Sequence, residues 1–298
     1  MTNMNTNLDA SHASVATRAT ESPPAGFRER SVALAHGKVN YVEGGQGKTL
    51  LLLHGGYGNW RHWHANLGAL AAHFHVVGMD MPGFGKSDAL KETPTIPTLA
   101  AAVSEAMNRM SRDRDDARAP YSVLAFSFGT TVAVRMAADR PERIAAMLLL
   151  SPPGILPVPD ELLALQNRAS ETASREGFMA GVRLTAHETM LWDHGLIDDT
   201  VLDIIASGVN GCRVKTREMS RAMPMLEAMQ TLPMPIRVLY GEHDPFYRSR
   251  IDEFLACTRE VIGPRGADRV QDCSHWIQYE KPQLTLQEAV SLFEPERA

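Results

Sequence analysis

The chain has 298 residues, 44% of them hydrophobic, and a formal net charge of −5 at pH 7, which suffices for one large α/β domain or for a core with an inserted second unit. This composition predicts no basic surface for nucleic acid, and no apolar run reaches the roughly 18 residues needed to span a membrane. Three scattered cysteines, none in a C-x-x-C pair, indicate neither a disulfide framework nor a zinc site, so the expected location is the cytoplasm.

The first 25 residues are small and polar and contain no apolar stretch, so we expect a disordered tail there. A hairpin over residues 27–34 and 39–43 should follow. The run TLLLL at residues 49–53 predicts a strand in the middle of a parallel sheet. Helices and strands then alternate, which predicts a doubly wound, mostly parallel sheet. The helices are expected at 60–72 and 99–110, and the strands at 74–79, 121–126 and 144–150.

The segment YSVLAFSFGTT, residues 121–131, is the stretch on which the functional interpretation depends. A buried strand ends at Phe126, Ser127 follows between Ala125 and Gly129, and residues 130–139 predict an apolar helix. This arrangement is typical of a nucleophile elbow, in which a strained turn exposes the serine Oγ above the sheet. Ala125 departs from the usual G-x-S-x-G pattern by one methyl group. Taken alone, the segment also fits an ordinary turn between a strand and a helix.

Strand character disappears after residue 151 and returns at residues 235–240. The stretch between them predicts helices at 160–168, 175–186, 200–207 and 216–229, the last kinked by Pro224. We therefore expect an α/β core over residues 26–151 and 233–298, with a helical cap over residues 152–232 at the carboxyl edge of the sheet. The methionines of the cap either line an apolar pocket or, as their helical spacing favours, pack in the core.

A serine nucleophile needs a base within hydrogen-bond reach, and the base needs a carboxylate to fix its tautomer. His275 lies between the last predicted strand and the last helix, and Asp244 ends a core strand in a tight turn, which gives the order Ser, Asp, His. Three rivals are less suitable. His243 should point to the other side of its turn, Asp80 precedes the nucleophile and should brace a neighbouring loop, and Asp272 is too close in sequence to His275.

The oxyanion that forms during acyl transfer needs preorganised N–H donors. We expect them from Phe128, at the start of the elbow helix, and from Gly56 in the loop after the 49–53 strand, with Tyr57 as a second candidate. His54 should anchor this loop, and the aromatic residues at 60–64 should lie half in the core and half at the pocket rim. The predicted substrate-binding residues are Tyr57, Trp60, Phe126, Trp192, Met223 and Trp276.

Five motifs follow one another along the chain: His54-Gly55-Gly56, residues 80–87, the Ser127 elbow, residues 241–244 and Ser274-His275-Trp276. Jointly they resemble the α/β-hydrolase superfamily over nearly the whole ordered chain. The serine distinguishes the chain from similar dehalogenases and epoxide hydrolases, whose nucleophile is an aspartate. Residues 275–280 also resemble hydrolases that cleave carbon–carbon bonds in meta-cleavage products. Those enzymes carry a Gly-Gly-Gly-Pro-Gly type loop and a cap arginine for a carboxylate, and neither feature has a clear match here.

The residues together predict a serine hydrolase that cleaves a carboxylic ester, or a related acyl bond, of a small and largely apolar substrate. Two alternatives remain open, a carbon–carbon bond hydrolase acting on a meta-cleavage-type dienol and a non-catalytic, ligand-binding relic of the fold. The expected partner is a small molecule, with no cofactor and no metal. Neither nucleic acid nor membrane binding is expected, and a homodimer is left open.

Overall fold

The computed structural model describes residues 22–111, 119–157, 174–221, 224–247 and 249–294. They contain an eight-stranded sheet in the order β1-β2-β4-β3-β5-β6-β7-β8. The β1–β2 and β2–β4 pairs are antiparallel, and the remaining pairs are parallel. The strands are β1 Phe27–Leu34, β2 Gly37–Gly44, β3 Thr49–Leu53, β4 His75–Met79, β5 Tyr121–Phe126, β6 Ile144–Leu150, β7 Ile236–Gly241 and β8 Ala267–Val270.

Helices lie between most of these strands, as the alternating sequence pattern predicts. Helices on both sides cover apolar side chains of the sheet, which is the general requirement for a parallel sheet with two buried faces. The helices are α1 Leu67–Ala71, α2 Ile96–Met110, α3 Phe128–Asp139, α4 Arg175–Thr185, α5 Asp199–Asn210, α6 Thr216–Arg221, α7 Met225–Gln230, α8 Ile251–Ile262, α9 Ile277–Glu280 and α10 Pro282–Phe293.

The hydrophobic core consists of two clusters, one on each face of the sheet. One cluster packs α2, α3 and α8 against side chains such as Leu51 and Val123. The other packs α1, α9 and α10 against side chains such as Leu52 and Leu124. Neighbouring residues of β3 and β5 thus point to opposite clusters, and this explains why their sequences are continuously apolar rather than alternating.

The residues between β6 and β7 form the helical segment, which we define as residues 151–235. Within its described part, 151–157, 174–221 and 224–235, the regular elements are helical turns and helices. Val182, Val201 and Ile204 pack into one core cluster, and Met225 and Met229 into the other. These two methionines therefore belong to the core, as their helical spacing favours. The helix predicted at residues 160–168 lies outside the described residues, and so does most of the predicted N-terminal tail.

The structure departs from the predicted elements where helices are short. The helix expected at 60–72 is a 3-10 turn, Trp60–Trp63, followed by the short α1. The helix expected at 216–229 divides into α6 and α7 around Pro224, because proline removes a backbone donor and clashes with the preceding turn. In the described parts of the chain, none of the helices has the length and apolar character to cross a membrane.

Candidate active site

Ser127 lies between β5 and α3 with φ +48° and ψ −121°, a conformation that is strained for a residue with a side chain. The Ser127 N–H donates to the Leu150 carbonyl at 2.8 Å, and the Thr130 hydroxyl donates to the Ser127 carbonyl at 2.6 Å. A Cβ on Gly129 would stand 2.5 Å from the His54 carbonyl oxygen, so the helix approaches β3 too closely for any other residue. The turn has the strained geometry that the nucleophile-elbow interpretation requires.

His275 is within hydrogen-bond distance of both Ser127 and Asp244. Its Nε2 lies 3.0 Å from Ser127 Oγ, and its Nδ1 lies 2.5 Å from Asp244 Oδ2. The second carboxylate oxygen of Asp244, Oδ1, accepts the Phe246 N–H at 3.0 Å, which fixes the rotation of the carboxylate. Because Asp244 is fully buried, its carboxylate requires the proton on Nδ1, and Nε2 is left to accept from the serine hydroxyl.

Aromatic side chains surround the His275 ring. The ring centroids of Phe126 and Phe246 both lie 5.0 Å from that of His275, and the Tyr247 ring lies 6.5 Å away. The Tyr247 hydroxyl donates to the Ser151 carbonyl at 3.2 Å. These contacts exclude water from most of the imidazole, which strengthens its interaction with the Asp244 carboxylate.

The three rival residues lie elsewhere. The His243 ring stacks on Trp192, with centroids 3.5 Å apart, and Asp272 is exposed. Asp80 accepts from the backbone N–H groups of Trp60 at 2.8 Å and Lys86 at 3.0 Å. Burial raises the pKa of its carboxyl, although these hydrogen bonds oppose that shift. Asp80 therefore braces two loops, as the sequence predicts.

His54 is a buried structural residue. Its Nδ1 donates to the Gly55 carbonyl at 2.7 Å, and its Nε2 accepts the Met81 N–H at 3.1 Å. Burial lowers the pKa of His54 to about 4, so the ring is neutral at neutral pH. The residue joins the end of β3 to the loop after β4.

The loop after β3, residues 55–58, lies against Ser127. A Cβ on Gly55 would be 3.2 Å from the Ser127 Cβ, and the Gly55 N–H donates to His62 Nδ1 at 3.2 Å. Gly56 and Tyr57 are partly exposed, and Tyr57 has a φ of +51°. Gly56 follows β3 and Phe128 follows β5 and Ser127, and these two strands are parallel, so both predicted oxyanion donors lie at the carboxyl edge of the sheet.

Three predicted substrate-binding residues have positions that differ from the prediction. Trp60, Phe126 and Trp276 are 2%, 1% and 0% exposed, so their side chains offer almost no surface to a ligand. The Trp276 Nε1–H donates to the His62 carbonyl at 3.0 Å, and the Phe126 ring lies against His275. These residues pack beneath the site and do not line it. The prediction was wrong because an aromatic side chain near a motif is buried as readily as it contacts a ligand.

The remaining predictions for this region have mixed outcomes. The expected pocket rim at residues 60–64 is wrong, because the side chains from Trp60 to Trp63 are all buried and only His64 is partly exposed. Trp192 is 47% exposed, but its ring stacks on His243. Tyr57 lies beside Gly56 in the loop. Met223 lies outside the described residues.

Two charged residues that the sequence did not identify connect the helical segment to the core. Arg61 is buried, pairs with Asp203 of α5 and donates from Nη1 to Ser207 Oγ at 2.9 Å. The Glu280 carboxylate accepts three backbone N–H groups, from Trp192 at 2.7 Å, Asp193 at 2.9 Å and Ser274 at 2.6 Å. Asp193 and Glu280 are 87 positions apart, and Arg61 and Asp203 are 142 positions apart. No local sequence pattern predicts contacts at such separations.

One cluster among the described residues has the spacing of metal ligands, formed by Glu242, His243 and Asp272, whose ligand atoms lie within 4.8 Å of one another. The Arg269 guanidinium lies 3.7 Å from Glu242 and balances its charge. His243 also stacks on Trp192. Glu242 and His243 thus have other partners, and we assign no metal to the cluster.

Comparison with known proteins identifies the class of the chain. Residues 48–196 match the family model described as alpha/beta hydrolase fold, and the chain belongs to this family. A carboxylesterase from Bacillus subtilis superposes with a TM-score of 0.74 at 16% identity, covering 91% of this chain and 92% of that one. That likeness confirms the predicted fold class, an α/β sheet of mostly parallel strands.

Two curated relatives from different enzyme groups are similar over much of the chain. A pimeloyl-[acyl-carrier protein] methyl ester esterase from Klebsiella pneumoniae is 30% identical over 221 residues, which is 69% of this chain and 79% of that protein. A 2-hydroxy-6-oxo-6-(2'-aminophenyl)hexa-2,4-dienoic acid hydrolase from Metapseudomonas resinovorans is 23% identical over 280 residues, covering 90% and 91%. The chain matches less than half the length of some other curated relatives.

Proposed function

We propose that this protein is a serine hydrolase that cleaves a carboxylic ester, or a related acyl bond, of a small and largely apolar substrate. The observation that supports it best is the unbroken hydrogen-bond chain from Ser127 Oγ through His275 to Asp244. A serine on a strained elbow, a buried carboxylate and a histidine between them form the constellation that acyl transfer requires.

In the proposed reaction, Ser127 Oγ attacks the substrate carbonyl while its proton moves to His275 Nε2. The buried Asp244 carboxylate stabilises the imidazolium that forms and keeps the proton on Nδ1. Negative charge develops on the carbonyl oxygen, and the N–H groups of Gly56 and Phe128 are the proposed donors to it. Phe128 is the first residue of α3, where the helix dipole favours an anion.

The protonated His275 then donates to the leaving group, and the acyl group remains on Ser127 as an ester. A water molecule then gives a proton to His275 and attacks this ester, and His275 passes the proton to Ser127 Oγ as the carboxylic acid leaves. We further propose that the helical segment acts as a cap that completes the binding site for a small molecule.

The test uses a fluorophosphonate probe and a panel of p-nitrophenyl esters. The wild-type protein should be labelled covalently and hydrolyse at least one ester, and Ser127→Ala should lose labelling and roughly 10⁵-fold or more of kcat. Ser104→Ala, at a partly exposed position of α2, serves as the matched control and should be unaffected. A wild-type protein that is neither labelled nor active would point to a non-catalytic relic, and a fully active Ser127→Ala would refute the proposal.

A second candidate activity is the hydrolysis of a carbon–carbon bond in a meta-cleavage-type dienol. It is supported by the similarity of 90% of this chain to the Metapseudomonas dienoic acid hydrolase. The same serine, histidine and oxyanion donors would serve that reaction. Decay of the visible absorbance of such dienols, with no turnover of the esters, would favour this candidate.

A further inference from the structure

His62 contacts the loop on which the proposed oxyanion donor lies, although the proposed reaction gives it no role. It belongs to the 3-10 turn Trp60–Trp63, and its side chain is buried. Its Nδ1 accepts the Gly55 N–H at 3.2 Å. Its carbonyl oxygen accepts the Trp276 Nε1–H at 3.0 Å. A single residue therefore holds both the loop after β3 and the loop that carries His275.

The His62 ring is also packed against the elbow strand. Its centroid lies 5.5 Å from that of Phe126, the residue before Ser127. It lies 5.3 Å from Trp276 and 6.2 Å from His54. The three segments that carry the nucleophile, the base and the proposed oxyanion donor thus share one contact surface, the imidazole of His62.

The backbone of the 55–58 loop is shaped around this ring. A Cβ on Gly58 would stand 2.2 Å from His62 Cε1, so only glycine allows the chain to pass this close. The preceding residue, Tyr57, has a φ of +51°, a conformation that costs free energy for a non-glycine residue. Gly58 is therefore required by the imidazole behind it, whereas a Cβ on Gly55 would meet Phe126 and a Cβ on Gly56 would meet Thr216.

The hydrogen bond from Gly55 requires an unprotonated Nδ1. Burial lowers the pKa of His62 well below its usual value, and the neighbouring His54, His275 and Arg61 lower it further. The ring is therefore neutral at neutral pH, with Nδ1 available as an acceptor.

We propose that His62 is a positioning residue that fixes the oxyanion loop, by accepting the Gly55 N–H so that the next N–H, that of Gly56, faces the reacting carbonyl. This inference rests on the proposed function. The contribution is expected in the transition state, where charge develops on the oxygen, and not in the binding of the uncharged substrate. The consequence is a lower kcat at nearly constant KM when the hydrogen bond is removed.

The experiment compares His62→Ala, His62→Leu and His62→Asn with the wild-type protein on the fastest substrate found. The Asn Oδ1 is attached in the same position as Nδ1 and can accept the same N–H, whereas Leu fills similar space without an acceptor. We expect kcat to fall about 10²-fold in the Ala and Leu variants, with KM changed less than about threefold. His62→Asn should recover about tenfold of this loss.

A boronic acid that mimics the tetrahedral intermediate should bind the Ala and Leu variants more weakly by about the same factor as kcat falls. His64→Ala is the matched control. His64 lies next to the same turn, its Nδ1 has no hydrogen-bond partner among the described residues, and its loss should leave kcat unchanged. Circular dichroism checks the fold, and the Leu and Asn pair decides the question if His62→Ala does not fold.

Two outcomes would overturn the assignment. Either His62→Leu keeps kcat within threefold of wild type, or the Leu and Asn variants lose kcat equally, which would mean that packing and not the acceptor matters. A wild-type protein without labelling or turnover would instead contradict the proposed function. The two failures are thus distinguishable.

Discussion

The elbow around Ser127 and the loop over residues 55–63 follow neighbouring strands of the sheet, β5 and β3, but they are stabilised in different ways. The elbow is held by groups close in sequence or in the adjoining strands, such as Thr130 and Leu150. The loop is also held by residues far along the chain, including Ser207 and Trp276. The proposed nucleophile is thus a product of local sequence, whereas the proposed oxyanion side is assembled by the whole fold.

The largest expected effect is a loss of activity on substitution of Asp244, the partner of the proposed base His275. Asp244→Asn should lower kcat about 10⁴-fold, because the amide no longer stabilises the imidazolium or enforces the tautomer with its proton on Nδ1. Ester hydrolysis by the purified variant measures it. Asp272→Asn removes the exposed rival carboxylate and should stay within threefold of wild type. Equal losses in the two variants would mean that the wrong carboxylate has been assigned.

A smaller effect is expected at the contact between the loop and α5. Asp203→Asn leaves the buried Arg61 guanidinium without its carboxylate partner, and we expect the free energy of unfolding to fall by about 3 kcal/mol. Urea denaturation measures this change. The matched control is Asp139→Asn, which breaks the exposed Arg135–Asp139 pair on α3 and should cost less than about 1 kcal/mol. If the free energy of unfolding fell equally in the two variants, the Arg61–Asp203 pair would stabilise the protein no more than the exposed pair on α3, and the proposed dependence of the loop on distant contacts would be wrong.

The smallest of the three effects is the response of the loop region to acid. The pKa of His54 is about 4 in the folded protein, below the usual 6.5, so the unfolded chain binds more protons between these values. Stability should therefore be full above pH 6.5 and fall as the pH drops toward 4, by about 2 kcal/mol between pH 7 and pH 5. Urea denaturation at both pH values should show this loss in wild type and a smaller one in His54→Gln. The same loss in both proteins would exclude His54 as its source.

The contrast between the two regions also explains what the sequence could predict. The bounds of β3, β5 and β6 agree with their apolar runs, because strands buried on both faces leave a continuous local signal. Because Ser127, Asp244 and His275 each follow a core strand, the sequence was enough to predict that their side chains lie close together. In contrast, the identity of an aromatic residue does not show which way it faces, and so Trp60, Phe126 and Trp276 were predicted to contact substrate.

The contacts of Arg61 and Glu280 were beyond prediction for a related reason. Charged residue types usually lie at the surface, and partners of both side chains lie in a helical segment whose packing has no local signature. The break in the 216–229 helix was the exception, since Pro224 marks it directly. Features that depend on one residue or one strand were predictable, and those that depend on the approach of two distant segments were not.

The way in which the helical segment joins the sheet has a consequence for how such proteins diversify. It leaves from β6 and returns to β7, and these strands are neighbours in which Leu150 lies opposite Leu239. Recombination could therefore replace the whole segment without shifting a strand. A transplanted segment would lack Asp203 and Ser207, and Arg61 would then be a buried charge without its acceptors. A functional exchange must therefore include more than the helical segment, because Arg61 and Glu280 of the core have to be replaced together with it.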